Sequence, residues 1–146
     1  MRHGKADGQV GSRNDIERPL TELGRKRTDL IARELIKKKV LPQLIISSPA
    51  LRTLQTSQQI AAGLNLSADA VQINEDLYFK TVNDYFDALY AAPDEKNCIM
   101  IVGHNPLVTQ FVNFFLSQKV VDMPTSGLIA LQSDAINPLV GISTTF

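Results

Sequence analysis

The two histidines of the chain, His3 and His104, each stand next to a glycine, a residue that permits tight turns and close approach of the backbone to a ligand. Arg2 directly precedes the first histidine, and Arg52 lies where a helix is predicted to begin. A guanidinium group can donate two parallel hydrogen bonds to the oxygens of a phosphate. We therefore predict that the four side chains bind an anion, with phosphate as the best fit. A single isolated histidine would more often be structural. Two histidines that both stand next to a glycine, together with two arginines in similar contexts, favour a functional site.

The first junction between a predicted strand and a predicted helix contains Arg52. An apolar run over residues 44–46 predicts a buried strand, and it leads directly into Ser47–Arg52. Ser48 can cap the following helix and Pro49 suits its first position, which places Arg52 in the first turn.

The second junction contains His104. The run over residues 98–102 predicts the clearest buried strand, and the helix after it would have Asn105 as its cap and Pro106 as its first residue. Free N–H groups and partial positive charge at the start of both helices favour an anion. Since open α/β sheets bind their ligands at the carboxyl ends of the strands, we expect both junctions to contribute to one site.

Strands and helices alternate along the chain, and the strands are continuously apolar. These two features predict an α/β fold with three layers, in which helices cover both faces of a central, mostly parallel sheet. The other predicted elements are a helix from Thr21 to about residue 39, a helix over 49–64, a short strand at 71–73, a helix near 82–89 capped by Thr81 or Asn83, a helix from Pro106 with a buried face of Leu107, Val108, Phe111, Val112 and Phe115, and late strands at 128–131 and 139–140.

Length and composition indicate an ordinary globular domain. The chain has 146 residues, which predicts a single domain over 1–146. Hydrophobic residues make up 44% and charged residues 21%, a composition that argues against disorder. Fifteen Lys and Arg residues balance fifteen Asp and Glu residues, so we expect no broad basic surface and no nucleic-acid partner.

Membrane and metal functions are not expected from the sequence. No apolar run approaches the roughly 18 residues that a membrane helix needs, and no apolar signal region follows Met1, so we predict a cytoplasmic protein without a membrane partner. Cys98 is the single cysteine and lies in an apolar run, which predicts a buried structural thiol and excludes an internal disulfide. Two histidines without a well-placed third ligand, beside arginines that repel a cation, argue against a metal site.

Three motifs, in their order and spacing, resemble the histidine phosphatase superfamily, which has the phosphoglycerate-mutase-like fold. They are Arg2–Gly4, Ser47–Thr56 and Gly103–Pro106. Two further stretches, Arg18–Arg25 and Pro124–Gly127, are similar to the SixA-type phosphohistidine phosphatase branch. Each motif alone is weakly specific, and the resemblance depends on their combination over essentially the whole chain.

The resemblance implies a phosphatase that needs no metal or organic cofactor. His3 would be the nucleophile and would form a phosphohistidine that water then hydrolyses. Arg2 and Arg52 would hold the phosphoryl oxygens, and His104 would donate a further hydrogen bond to them. Neighbouring arginines should lower the pKa of His3 and keep its ring neutral near neutral pH.

Three other residues are candidates for the site. Glu75 falls where larger relatives carry an acid after a strand, which makes it the candidate proton donor; its alternative is an exposed loop carboxylate. Ser126, a candidate for substrate binding, and Thr125 could line the site or be turn residues only. A phosphoramidate substrate lessens the demand for an acid, because an imidazole protonated on its other nitrogen leaves as a neutral group.

The substrate class is inferred from the interval between Arg52 and His104. It contains one predicted helix of ordinary length and no long insertion, whereas metabolite-handling relatives usually place a lid there. A minimal domain without a lid would have an open site, which favours a phosphohistidine on a phosphotransfer-type protein. The alternatives are a small-molecule phosphomonoesterase of the same superfamily and, in another class, a non-catalytic phosphate-binding module, which the presence of His3 disfavours.

One departure from the family pattern concerns the first residues. In the family a central apolar strand directly precedes the Arg-His-Gly motif, whereas this sequence has Met1 before Arg2. We expect that the strand is missing, that a polypeptide starting at Met1 is destabilised or inactive, and that adding an apolar strand ahead of Arg2 raises the melting temperature.

Overall fold

The computed structural model describes residues 1–8, 14–132 and 144–145 of the chain. Within these ranges, no helix is long and apolar enough to cross a membrane. Short 3-10 turns lie at Asp15–Glu17, Ala68–Ala70 and Glu75–Leu77. The regular elements are α1 (Glu22–Lys37), β1 (Leu44–Ser47), α2 (Leu51–Gly63), β2 (Val71–Ile73), α3 (Val82–Tyr90), β3 (Ile99–Val102), α4 (Leu107–Phe115), β4 (Ile129–Ala130) and β5 (Thr144–Thr145).

The central sheet is parallel and has the strand order β2-β1-β3. Its register aligns Ser47 at the end of β1 with Val102 at the end of β3. The residues that follow these two strands, Ser48 and Gly103, therefore leave the sheet at the same edge. This edge carries both of the junctions that the sequence predicted to share a site.

The segment Met1–His3 runs parallel to β3 and extends the sheet on the side away from β1. Gly103 donates its N–H to the carbonyl of Met1 at 3.1 Å, and His3 donates its N–H to the carbonyl of Gly103 at 3.1 Å. The amino group of Met1 donates to the carbonyl of Ile101 at 2.7 Å. These bonds place His3 beside the end of β3. The effect of a further strand ahead of Arg2 stays a prediction.

Helices cover both faces of the sheet, as predicted. Successive side chains of β1 and β3 point to opposite faces, so Ile46 and Ile101 pack against α3 and α4, while Ile45 and Met100 pack against α1 and α2. All four residues of β1 are buried. Strands that are buried on both faces read as continuous apolar runs, which is why these two were recognisable in the sequence.

Two predicted helix starts are confirmed. The Thr21 side chain accepts a hydrogen bond from the Gly24 N–H at 3.0 Å and caps α1. Thr81, rather than Asn83, caps α3, with the Asp84 carboxylate accepting bonds from its backbone N–H and its hydroxyl at 2.6 Å each. The buried residues of α1 are Gly24, Thr28, Ala32 and Leu35, whereas Leu23 and Leu30 are exposed.

The caps predicted for α2 and α4 are wrong. Ala50 has an extended backbone and α2 begins at Leu51, so Ser48 and Pro49 lie outside the helix and the Ser48 hydroxyl bonds to His104 instead. α4 begins at Leu107 after Pro106, whose peptide bond to Asn105 is cis. The Asn105 side chain is occupied elsewhere, by Asp122, the Met123 carbonyl and the Thr109 hydroxyl.

The late part of the chain agrees with the prediction where it is described. The predicted strand at 128–131 contains β4, which pairs antiparallel with β5. The predicted strand at 139–140 lies outside the described residues.

Cys98 precedes β3 and is half-buried rather than enclosed, and burial raises the pKa of its thiol.

Tyr85 on α3 fixes the backbone at the end of β3. Its hydroxyl accepts the His104 N–H at 3.0 Å, and burial raises its pKa to about 12. The contact requires glycine at position 103, because a Cβ atom there would lie 2.0 Å from the Tyr85 hydroxyl oxygen. The core below the sheet thus determines where His104 emerges.

Tyr85→Phe should therefore destabilise the fold, because the buried N–H of His104 loses its acceptor. We expect a loss of about 1–3 kcal/mol in the free energy of unfolding, measured by urea denaturation. Tyr90→Phe is the matched control, since Tyr90 lies on the same helix and is 78% exposed. Equal stabilities of the two variants would contradict this assignment of the hydrogen bond.

Candidate active site

Three of the predicted side chains meet at the carboxyl edge of the sheet. His3 ends the segment beside β3, His104 lies just after β3, and Arg52 lies in the first turn of α2. The ring centroids of the two histidines are 5.2 Å apart, and Nη2 of Arg52 lies 3.3 Å from Nδ1 of His104. Arg2 is close enough to lower the pKa of His3 through its charge.

The imidazole of His3 is fixed in one tautomer. Its Nδ1 lies 2.7 Å from the carbonyl oxygen of Gly4, and a carbonyl can only accept, so Nδ1 carries the proton. The Nε2 atom then holds a free lone pair. Gly4 is fixed in turn, because its N–H donates to the Thr56 hydroxyl on α2 at 3.0 Å.

His3 is uncharged at neutral pH. Burial is the main cause that lowers its pKa to about 4, and the positive charges of Arg52, Arg2 and Arg18 lower it further against the opposing effect of the Gly4 carbonyl. A neutral ring with an unprotonated Nε2 is the state that a nucleophilic histidine requires.

His104 is also neutral, but both of its ring nitrogens are engaged. A guanidinium only donates, so Nδ1 accepts from Arg52 and the protonated Nε2 donates to the Ser48 hydroxyl at 2.8 Å. Burial and then the charges of Arg52 and His3 lower its pKa to about 3. Arg52 thereby sets the tautomer of His104, and Ser48 accepts the Nε2 proton, a role that its predicted capping function did not anticipate.

Arg52 is 1% exposed and bonds to Asp15 twice. Its Nη1 donates to the Asp15 carbonyl at 2.6 Å and its Nη2 to the Asp15 carboxylate at 2.8 Å. The carboxylate also accepts from the Tyr78 hydroxyl at 2.9 Å and pairs with Nε of Arg18 at 3.0 Å. Burial would raise the pKa of Asp15, but the bonds from Tyr78 and Arg52 outweigh it and lower the pKa.

Sequence reasoning did not assign Asp15 or Tyr78 to the site. Asp15 lies in a polar stretch without periodicity, and Tyr78 follows a single 3-10 turn, so neither carried a local signal. Arg18 did carry one, since it opens the stretch 18–25 that resembles the SixA-type branch, but no role was assigned to it.

Several polar atoms around His3 are buried without a hydrogen-bond partner among the described residues. They include Nε of Arg2, Nε of Arg52 and Oγ of Ser126. The terminal nitrogen of Arg2 donates to the Met123 carbonyl at 2.6 Å. Buried donors without a partner are costly, and two guanidinium groups with one hydroxyl suit an anion with several oxygens.

Ser126 and Glu75 differ in their relation to the site. The backbone N–H of Ser126 donates to the His3 carbonyl at 3.0 Å, and Ser126 has a φ of 64° in the turn that also contains Thr125. Glu75 is exposed, and no described hydrogen bond or ion pair joins its carboxylate to His3, Arg52 or another site residue. Its assignment as proton donor therefore stays a prediction without a contact to support it.

The depressed pKa values of the two histidines predict acid sensitivity of the fold. Below pH 6.5, the unfolded chain binds protons at His3 and His104 that the folded chain excludes down to about pH 4 and 3. Their contribution to stability is thus complete above pH 6.5 and is lost as the pH falls. Between pH 6.5 and 5 we expect a loss of about 1–2 kcal/mol for each histidine.

Urea denaturation of the wild type and of His3→Gln at pH 7.5 and pH 5 tests this expectation. The variant lacks one buried titrating group, so its stability should fall less between the two pH values. Carboxylates that titrate in the same range are common to both proteins and cancel in the comparison. Identical pH dependence in the two proteins would show that His3 is not held neutral by burial.

Among the described residues, no group of three or more His, Cys, Asp or Glu side chains is arranged to hold a metal ion. The cationic groups and the free Nε2 of His3 dominate the chemistry of this edge. An arrangement of this kind binds an anion and presents a neutral imidazole to it.

Comparisons with known proteins agree with this chemistry. The model of the histidine phosphatase superfamily (branch 1) matches residues 1–78. Phosphohistidine phosphatase SixA of Escherichia coli K12 is 30% identical over 131 residues, which cover 89% of this chain and 80% of that protein. An uncharacterised protein of Picosynechococcus is 31% identical over 142 residues, covering 92% of this chain and 84% of that protein.

A solved structure has the same fold. The protein histidine phosphatase SixA complexed with tungstate superposes with a TM-score of 0.82 at 27% sequence identity, covering 99% of this chain and 91% of that chain. Membership of one family thus accounts for both the parallel sheet with helices on its two faces and the residues at its carboxyl edge. The chain belongs to the histidine phosphatase superfamily, is a phosphatase, and within that superfamily is of the SixA type.

Proposed function

We propose that this phosphatase removes phosphate from a histidine of a partner protein, with His3 as the nucleophile. The observation that carries the proposal is the state of His3, whose Nδ1 proton is held by Gly4 and whose Nε2 is unprotonated beside Arg2 and Arg52. The relatives named for SixA are a phosphohistidine phosphatase and a protein histidine phosphatase, which supports the same substrate class.

The first step transfers the phosphoryl group to His3. The Nε2 lone pair attacks phosphorus in line and forms a new N–P bond, while the P–N bond to the substrate imidazole breaks and its electron pair returns to that ring. A substrate imidazole that is protonated on its other nitrogen leaves neutral. The His3 ring becomes cationic, and its Nδ1–H bond to the Gly4 carbonyl stabilises that charge.

The second step regenerates the enzyme. Water attacks the phosphorus of the phosphorylated His3, the N–P electron pair returns to Nε2, and the water proton leaves with inorganic phosphate. The low pKa of His3, about 4, favours its return to the neutral ring. The cycle needs no metal or organic cofactor.

Arg2 and Arg52 hold the charged oxygens of the transferring group. Their buried Nε atoms, which have no partner among the described residues, are donors available to these oxygens. Preorganised donors of this kind are typically worth about 3–4 kcal/mol each in the transition state. In this proposal His104 donates to the same oxygens when its Nε2–H exchanges Ser48 for the phosphoryl group.

The state of the carboxylates favours a phosphoramidate over an alkyl ester. Asp15 contacts Arg52, but its lowered pKa leaves it deprotonated near neutral pH and unable to donate a proton. Glu75 is exposed and has no described bond to the site. An alkoxide leaving group would require a proton donor, whereas a neutral imidazole leaves without one.

The region between Arg52 and His104 favours a substrate presented by a protein. These residues are all described, and they form the rest of α2, the short turns, β2 and α3, with no further helix folded over the site. A site that this interval leaves uncovered admits a phosphohistidine on a protein surface. The partner is then a phosphotransfer-type protein whose phosphohistidine is exposed.

His3→Ala should abolish phosphate release, because the attacking nitrogen is removed. Wild type and variant are mixed in parallel with a phosphohistidine-bearing phosphotransfer domain and with p-nitrophenyl phosphate, and inorganic phosphate is followed with time. We expect rapid release from the phosphohistidine by the wild type, slow hydrolysis of the ester, and background rates for the variant. Circular dichroism of both proteins controls for folding.

Other outcomes of this assay identify the alternatives. Brisk ester hydrolysis with an inert phosphohistidine would show a small-molecule phosphomonoesterase. Saturable binding of the phosphorylated domain without release of phosphate would show a binding module. Undiminished activity of His3→Ala would overturn the assignment of the nucleophile.

Asp15→Asn should strengthen the binding of inorganic phosphate. The Asp15 carboxylate occupies a terminal nitrogen of Arg52, so an incoming anion competes with an internal one. A bond to a neutral amide is weaker than a bond to a charged group by about 1 kcal/mol, which corresponds to roughly fivefold tighter phosphate binding. Isothermal calorimetry measures this change.

Asp94→Asn is the matched control for that variant. Asp94 is exposed between α3 and β3, and its substitution alters the net charge equally. We expect the control to bind phosphate as the wild type does. Weaker binding by Asp15→Asn would mean that Asp15 positions Arg52 for the phosphate instead of competing with it.

A further inference from the structure

Phe79 lies at the outer side of the site and contacts two of its members. Its ring centroid is 4.6 Å from that of His104, with an interplanar angle of 31°, and Cζ of Arg52 lies 6.0 Å from the ring centroid. The Tyr78 ring packs edge-on against it at 4.9 Å. Although it touches these groups, Phe79 is 48% exposed.

The backbone of Phe79 is in the left-handed region, with a φ of 52°. A bulky side chain there is sterically unfavourable and uncommon. Two other non-glycine residues with positive φ, Lys39 and Asn65, each follow the C-cap of a helix, where this conformation is routine. Phe79 likewise follows Tyr78, the residue that ends the 3-10 turn Glu75–Leu77, but unlike Lys39 and Asn65 it places an aromatic ring in the left-handed region beside the site.

The neighbours of Phe79 hold it in this conformation. On one side, the Tyr78 hydroxyl donates to the Asp15 carboxylate. On the other side, Lys80 pairs with Asp76, and the next residue caps α3. Strained residues that are fixed by their surroundings concentrate at functional sites. The strain here turns an apolar ring outward beside His104 and away from either hydrophobic core.

The direction of the reaction places the leaving group near this ring. His3 is 8% exposed and lies at the base of the site, and attack in line requires the leaving group on the opposite side of phosphorus, toward solvent. The described ring contacts run from His3 to His104 at 5.2 Å and from His104 to Phe79 at 4.6 Å. This series of rings leads from the nucleophile to the exposed face of Phe79.

We propose that Phe79 is a specificity-determining residue whose exposed face stacks on a planar leaving group, so that imidazolyl and aryl phosphates are preferred over alkyl phosphates. The inference rests on the proposed phosphatase mechanism and specifies its leaving-group side. A planar ring covers the exposed half of the phenyl group and gains offset-stacked contact, which a flexible alkyl chain does not match.

The test compares specificity constants for phosphoimidazole, phenyl phosphate and glycerol phosphate in wild type, Phe79→Ala and Phe79→Tyr. Intrinsic reactivity differs among the three substrates, but it cancels when each variant is divided by the wild type. In Phe79→Ala we expect kcat/KM for the two planar substrates to fall about three- to tenfold relative to glycerol phosphate. Phe79→Tyr should keep the wild-type preference.

Two further variants make the result decisive. Phe79→Gly removes the ring while accommodating the positive φ, so it should reproduce the preference of Phe79→Ala even if alanine perturbs the fold. Phe114→Ala is the matched control, because Phe114 is 63% exposed on α4 and contacts Phe86 rather than the site. This control should leave the substrate preference unchanged.

The outcomes separate this inference from the function on which it rests. An equal fall in kcat/KM for all three substrates would show that Phe79 only positions His104, and would overturn the proposed specificity. Wild-type turnover with a preference that none of the variants alters would also overturn it while leaving the phosphatase mechanism intact. Absence of turnover by the wild type on every substrate would overturn both.

Discussion

The hydrogen bond from Nδ1 of His3 to the Gly4 carbonyl is the interaction on which the site depends. It assigns the ring proton to the nitrogen that faces the protein and leaves the other nitrogen free. Gly4 can accept this bond in place because Thr56 of α2 holds its N–H, and Thr56 in turn donates to the Arg52 carbonyl at 2.7 Å. His3 and Arg52, the proposed nucleophile and a proposed phosphate ligand, are thus fixed by one short series of bonds.

The positive charge at the carboxyl edge of the sheet is balanced within the chain. Burial lowers the pKa values of His3 and His104, and the charges of the neighbouring arginines lower them further, so both rings stay uncharged. Arg52 itself is enclosed, and an unpaired buried cation would be costly, so the Asp15 carboxylate compensates it. In the proposed mechanism a phosphoryl group is the second partner of the same guanidinium. The site is stable without its substrate because a carboxylate from the chain meets the same electrostatic need.

Much of the fold was predictable because its signals are local. The runs at 44–46 and 98–102 read as buried strands since both of their faces are covered, and Thr21 read as a cap since its partner is three residues away. The motifs containing His3, Arg52 and His104 carried the family resemblance, and the structure brings these residues together. Asp15 and Phe79 escaped prediction because their roles arise from contacts that span the fold or from a backbone conformation, and neither leaves a periodic pattern. Ser48 was wrongly predicted to cap α2, because its hydroxyl makes a long-range hydrogen bond to His104 instead of a local one.

The pairing of Met1–His3 with residues from opposite parts of the chain also has a kinetic consequence. His3 donates its backbone N–H to Gly103 and accepts the N–H of Ser126, and Arg2 donates its N–H to Gly127. Contacts at such large sequence separation form slowly, because a long loop must close before they contribute. During synthesis His3 emerges before the partners of these bonds, which lie around Gly103 and Gly127. We therefore expect His3 to reach its place beside β3 late in folding, after most of the helices that surround the sheet have been synthesised.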